Sequence, residues 1–207
     1  MRDLHRSLGI APHSSIEPAG ISRTLSGMGK LKIPATGEGY LGEIMVHRLT
    51  RAIGVVETGI ALKPAHTDVP LATADDLRAV LVGASAIYFP DPVKATAGIH
   101  FMKVLQTLEL DVTLADRLRP YPNGNAAMGA MAQANEPGLI GCTQVTEILF
   151  TPGVVLSGLL PKAFELATVY TAAVCTGAQQ PVAAAAFVEL LASEKAAGLR
   201  SAGGFVA

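Results

Sequence analysis

Residues 86–101, AIYFPDPVKATAGIHF, constrain this chain more than any other stretch, because they read as an apolar strand, a proline-punctuated loop and the first turns of a helix. Pro90 and Pro92 stop the strand at Phe89 and hold the loop extended. The spacing of Phe101, Val104, Leu105 and Leu108 then predicts a helix from about Ala97 to Leu110. A helix start leaves unpaired N–H donors and partial positive charge, which suits an anion. Taken alone, the stretch is also an ordinary strand-to-helix connection of an α/β domain.

Composition limits what such a junction can serve. With 207 residues, 50% hydrophobic and 16% charged, the chain can bury a substantial core in one large or two small domains. A net charge of −1 without a basic block argues against nucleic acid as a partner. Any bound anion must therefore be held by neutral groups or a few cations. Cys142 and Cys175 lie far apart with no Cys-x-x-Cys and no nearby His pair, so neither a metal site nor a disulfide is supported, and two small buried residues are expected. No cofactor is expected. The first residues have no apolar run behind them and no stretch approaches the ~18 uncharged apolar residues of a membrane helix, so the chain as written reads as soluble, without an export address.

Along the chain, residues 1–20 are broken by Pro12 and Pro18 and read as the tail of a helix followed by loop. Ser26-Gly27-Met28-Gly29 is a small-residue turn that either presents a hydroxyl and amides to a ligand or is simply a turn, and Tyr40 to Leu49 fits helix or strand equally. Ile53 to Leu62 reads as a strand, and Pro64 to Pro70 as a crossing segment. Thr73, with a carboxylate three residues on, predicts a capped helix through about Val82. A polar linker after Asp111 leads to Asn125, read as the N-cap of a helix from Ala126 to Ala134. Leu139 to Gln144 reads as a short strand, placing Thr143 and Gln144 where ligands of open α/β sheets bind, and Thr146 and Glu147 begin a short helix. After Val154 to Leu160, Ala167 to Cys175 is strand-like. Pro181 then starts an alanine-rich helix to about Ala197, whose row Ala184, Phe187, Leu190 and Leu191 is expected to pack inward. The helix–strand–helix alternation in the middle of the chain favours a parallel sheet.

Several of these pieces occur together and in order: Asp91-Pro92 before Ala97-Gly98-Ile99 and a helix, Asn125 and its helix, Pro137-Gly138-Leu139-Ile140-Gly141, Val169 to Val174, and Pro181 to Phe187 running through Ser193-Glu194-Lys195 to Gly204-Phe205. From about Ile53 to Phe205 this order resembles the molybdate-binding-protein type of ABC transporter substrate-binding protein. The resemblance implies an α/β, two-lobed periplasmic-binding-protein type II fold, with mostly parallel sheets flanked by helices and a hinge closing over a small anion. It implies a first lobe from 1–64 and 160–207 and a second from 65–159. The family's opening strand and its Ala-Ser loop have no counterpart here, so the first lobe is expected to be N-terminally truncated.

Carried over by position, the anion ligands would be the backbone at Ala97 and at Asn125, and Thr143, which stands where the family commonly has a tyrosine. Thr96 and Gln144 are adjacent candidates from the strand and helix placement, and Ser26 resembles the second serine-bearing loop of the family. The implied activity is binding of a molybdate-like oxyanion or a small carboxylate, not catalysis. The implied setting is periplasmic, with an ABC permease as partner and a monomeric chain. The aconitate isomerases are similar to the same family and offer an alternative, in which the cleft holds an unsaturated tricarboxylate and a base moves a proton. His100 is the candidate base and Lys94 and Arg119 the candidate clamps. An inactive or truncated relative is a further alternative.

Overall fold

A computed structural model describes residues 30–32, 43–64, 69–175 and 177–206. Its longest strand organises the rest. After the three-residue β1 (Lys30–Lys32), β2 runs from Glu43 to Leu62 and pairs with five other strands, all antiparallel. Its first part takes β7 (Ala167–Cys175) and β8 (Phe205–Val206), with a bulge between Ala52 and Gly54. The last part takes β5 (Leu139–Gln144) and β6 (Val155–Leu159). The change of partner falls at one peptide bond: Glu57 faces Ala167 on β7, whereas Thr58 faces Gln144 on β5.

Beyond β5 the sheet continues through β3 (Ala86–Pro90) to β4 (Leu118–Tyr121), and among the described residues only these two pairings are parallel. The expected mostly parallel arrangement therefore holds where helices connect the strands. The sheet as a whole is mixed, because β2 runs against each of its neighbours. β4 was not expected. It is four residues long and carries Arg119 and Pro120, so neither alternation nor an apolar run marks it, and proline is tolerated because the strand lies at an edge.

Alternation through the sheet sorts the core into two layers. On β3, Ile87 and Phe89 join α1 (Ala74–Gly83) and α2 (Thr96–Thr107) through Leu77, Leu81, Phe101 and Leu105, together with Ile60, Ile140 and Cys142 from β2 and β5. Ala86 and Tyr88 face the other way, onto α3 (Gly124–Gln133), with Ala127, Met128, Met131 and Leu139. α1 begins as the sequence predicts: Thr73 Oγ1 accepts the Asp76 N–H at 3.1 Å and the Asp76 carboxylate accepts the Thr73 N–H at 2.9 Å. α2 ends earlier than expected, at Thr107, because Glu109 turns into the left-handed region at φ 56°.

Toward the C-terminus, α4 (Val145–Phe150) follows β5 directly, and α5 (Pro181–Ala192) lies on β2 and β7. α5 stops five residues short of the expected end, breaking at Ser193 into a 3₁₀ turn before α6 (Ala197–Ala202). The expected inward row is also corrected. Val188 is the buried residue of α5, while Phe187 and Leu190 are 46% and 49% exposed. Four consecutive alanines, Ala183 to Ala186, leave the first half of the helix without a contrast to read. The two cysteines differ: Cys142 is buried, Cys175 is exposed, and both are free.

Candidate functional site

Two helices start beside the carboxyl ends of β3 and β5, one on each face of the sheet. α2 follows β3 through a tight loop. Asp91 Oδ1 accepts the Val93 and Lys94 N–H groups at 2.7 and 2.9 Å, and its carbonyl accepts the Ala95 N–H at 3.1 Å. Ala95 is the N-cap and makes no side-chain capping bond, and no acidic residue lies in the first turn. Thr96 and Ala97 are the first helical residues, with Ala97 buried. At Gly98 the helix presses on the end of β3, and a Cβ there would collide with the carbonyl oxygens of Pro90 and Asp91.

The start of α3 differs from expectation. Asn123, not Asn125, is the N-cap: its backbone is extended and its Oδ1 accepts the Ala126 N–H at 2.7 Å. Asn125 is an exposed residue of the first turn. Gly124 meets a carboxylate of the chain itself, because a Cβ there would collide with Glu147 Oε2 and Thr143 Oγ1. The Thr143 hydroxyl donates to that same Glu147 oxygen. Glu147 lies four residues after Thr143, in the first turn of α4, and its negative charge suits the positive end of α3.

Thr143 and Gln144 are adjacent on β5 and so point to opposite faces. Thr143 turns to α3. Gln144 turns to the α2 side and accepts a hydrogen bond from the Tyr170 hydroxyl, which comes from β7. This bond reaches from one group of β2 partners to the other. Thr143 and Gln144 are buried, at 0% and 7% exposure.

The structure thus brings Thr96, Ala97, Thr143 and Gln144 to one sheet edge, with Asn125 on the rim; Ser26 lies outside the described residues. His100 is one turn into α2, half-buried, and its Nε2–H donates to the Phe164 carbonyl at 2.8 Å. Arg119 is exposed, and its Nη1 donates to the carbonyls of Asp116 and Leu118 at 2.7 and 3.0 Å, which places it away from a clamping role. Lys94 is exposed in the loop before α2. Sequence reasoning missed Glu147 and Tyr170. The contact from Thr143 to Glu147 crosses from β5 to α4, where helical spacing does not apply, and Tyr170 reaches Gln144 only through the pairing of β7 with β2. Lys63, just past β2, donates to the carbonyls of Met131, Ala132 and Ala134 at 3.4, 2.6 and 3.1 Å and so caps the far end of α3. Burial raises the Cys142 thiol, leaving it a protonated core residue. Among the described residues no group of three His, Cys, Asp or Glu is placed to hold a metal, and no helix is long and apolar enough to cross a membrane.

Comparison with known proteins bears on this arrangement. Residues 50–206 match the family described as bacterial extracellular solute-binding protein. An aconitate isomerase of a Pseudomonas species is 27% identical over 128 residues, covering 61% of this chain and 47% of that protein, so the chain spans about half the length of the curated relative it matches. Among solved structures, the periplasmic molybdate-binding protein of Azotobacter vinelandii superposes with a TM-score of 0.56 at 16% identity over 79% of this chain and 70% of that one. The substrate-binding protein of an ABC transporter from Agrobacterium tumefaciens superposes with a TM-score of 0.52 at 17% identity, over 73% of this chain and 49% of that one. At these identities the structures speak for the fold, and the family match covers most of the chain. The chain belongs to the bacterial extracellular solute-binding proteins and has the α/β fold of the periplasmic binding proteins of ABC transporters.

Proposed function

We propose that the chain binds a small organic acid at the carboxyl ends of β3 and β5, as the solute-binding component of an ABC-type importer. The observation that carries this reading is the pair of helix starts flanking one sheet edge, with Thr143 and Gln144 diverging between them. The α2 start, through the N–H groups at Thr96 and Ala97, receives the anionic end of the solute, and Gln144 orients it. On the α3 side the solute meets Glu147. A compact tetrahedral oxyanion would have to sit against that carboxylate, whereas an elongated acid keeps its charge at α2 and turns a hydroxyl or a C–H toward Glu147. The two groups of strands joined by β2 act as the lobes, 1–64 with 160–207 and 65–159, and close about the strand. A permease partner, a monomeric state and an extracytoplasmic setting belong to the same proposal.

Isothermal titration against citrate, cis- and trans-aconitate, succinate, molybdate, tungstate and sulfate tests the reading. Binding of at least one di- or tricarboxylate, tighter than any of the three inorganic anions, is the expected result. No heat with any of them at millimolar concentration overturns it.

A second reading is favoured by Glu147 itself and by the likeness to aconitate isomerase. An unsaturated tricarboxylate carries C–H bonds made acidic by flanking carboxylates, and a seated carboxylate is a base of the right kind to take a proton at one carbon and return it at another. His100 is less suited, since its Nε2–H is committed to Phe164. Incubation with trans-aconitate decides this: appearance of the cis isomer, lost in Glu147→Gln and kept in His100→Ala, supports catalysis, and no conversion removes it.

A further inference from the structure

The residue at the crossover carries a buried polar group that the structure leaves unpaired. The Thr58 hydroxyl is buried, with the residue 2% exposed, and has no hydrogen-bond partner. It is the only buried side-chain polar atom in this condition among the described residues. An unpaired buried hydroxyl opposes folding, and a valine of the same shape would avoid that cost. The backbone of Thr58 is fully engaged, its N–H donating to the Leu166 carbonyl and its carbonyl accepting the Leu160 N–H, both at 3.1 Å. The unused group is thus the side chain alone, at the residue where β2 passes from β7 to β5.

Its neighbours give the hydroxyl a direction. Thr58 faces Gln144 directly across the antiparallel ladder, and directly opposed residues share a face of the sheet. That face is the α2 side, since Ile60 and Leu62, two and four residues on, pack in the layer of α1 and α2. Gln144 on the same face is bonded to the Tyr170 hydroxyl. A hydroxyl, a carboxamide and a phenol from β2, β5 and β7 therefore gather where the two groups of strands meet, on the side of the helix start proposed to take the charge of the solute.

We propose that Thr58 is a ligand-binding residue, whose hydroxyl hydrogen-bonds an oxygen of the bound acid beside Gln144. This inference rests on the proposed function. The chemistry it selects is a carboxylate or hydroxyl oxygen, because the hydroxyl both donates and accepts and no cation among the described residues bonds to Gln144 or Thr58. Bonding at this residue also places the solute against the strand that both groups of partners share, so that occupancy and closure act on the same residue.

The test compares the parent chain with Thr58→Val and Thr58→Ser by thermal melting without ligand and by titration with the same acids. Thr58→Val is expected to melt no lower than the parent and to bind the acid about tenfold more weakly, with Thr58→Ser restoring most of the affinity. Equal affinity in the parent and Thr58→Val overturns the inference while leaving the proposed function standing. A Thr58→Val protein that melts several degrees lower, or does not fold, also overturns it, since the hydroxyl then has a structural partner. A parent chain that binds none of the acids removes the proposed function and this inference together.

Discussion

The starts of α2 and α3 flank one sheet edge and look alike in the sequence, each a helix opening after a proline-containing loop, yet they are finished differently. α3 is capped by Asn123 and met by Glu147, which the Thr143 hydroxyl holds against Gly124. α2 has neither a side-chain cap nor an acidic residue in its first turn. Among the described residues a carboxylate sits against the first residue of α3, whereas before α2 the Asp91 carboxylate is taken up by the loop N–H groups of Val93 and Lys94. Two similar local geometries can thus differ in availability to a ligand, and what decides it is a residue on a third element.

The largest effect expected from breaking this comparison is at the glycines that set both starts. Gly98→Ala drives a methyl group into the backbone carbonyls of Pro90 and Asp91, which cannot move without shifting β3 or α2, so a loss of roughly 3 kcal/mol in denaturant unfolding is expected. Gly124→Ala meets side chains rather than backbone, and of these Glu147 can swing away, so its loss should be smaller. Equal losses would mean that the two starts are packed alike. Next in size is Lys63→Met, which leaves three carbonyls at the far end of α3 without their ammonium and should cost about 1–2 kcal/mol, read as a lower melting temperature. Smaller again is the cap. Asn123→Ala should cost about 1 kcal/mol, whereas Asn125→Ala, at an exposed first-turn position, should stay within about 0.5 kcal/mol. The reverse order would return the cap to Asn125.

How much of this was legible depended on whether the signal was local. The Thr73 capping box, β5 and β7 follow from residues adjacent in sequence, and the structure has them where the spacing places them. The cap at Asn123 was missed by two residues because Asn123, Gly124 and Asn125 all suit a helix start, and propensity cannot choose among them. Residues 40–49 read as helix or strand, and β2 already runs from Glu43, because pairing with β1 and β7 settles what periodicity could not. Of the candidate residues, Ala97 and Thr143 came from the resemblance and Thr96 from the helix placement, while Thr143 and Gln144 also follow from the rule that ligands lie beyond strand carboxyl ends. Glu147, Tyr170 and Thr58 escaped it, because their significance lies in partners on other elements, and for Thr58 in having no partner at all.

In the proposed function Glu147 occupies the α3 start and leaves the α2 start to the ligand. Titration of Glu147→Gln with molybdate and sulfate, beside the parent chain, tests it most directly. Removing the charge while keeping the shape should open the α3 side to a compact oxyanion, so binding should appear or tighten by about tenfold. Affinity for both anions unchanged from the parent, in a variant that melts at the parent's temperature, would contradict it.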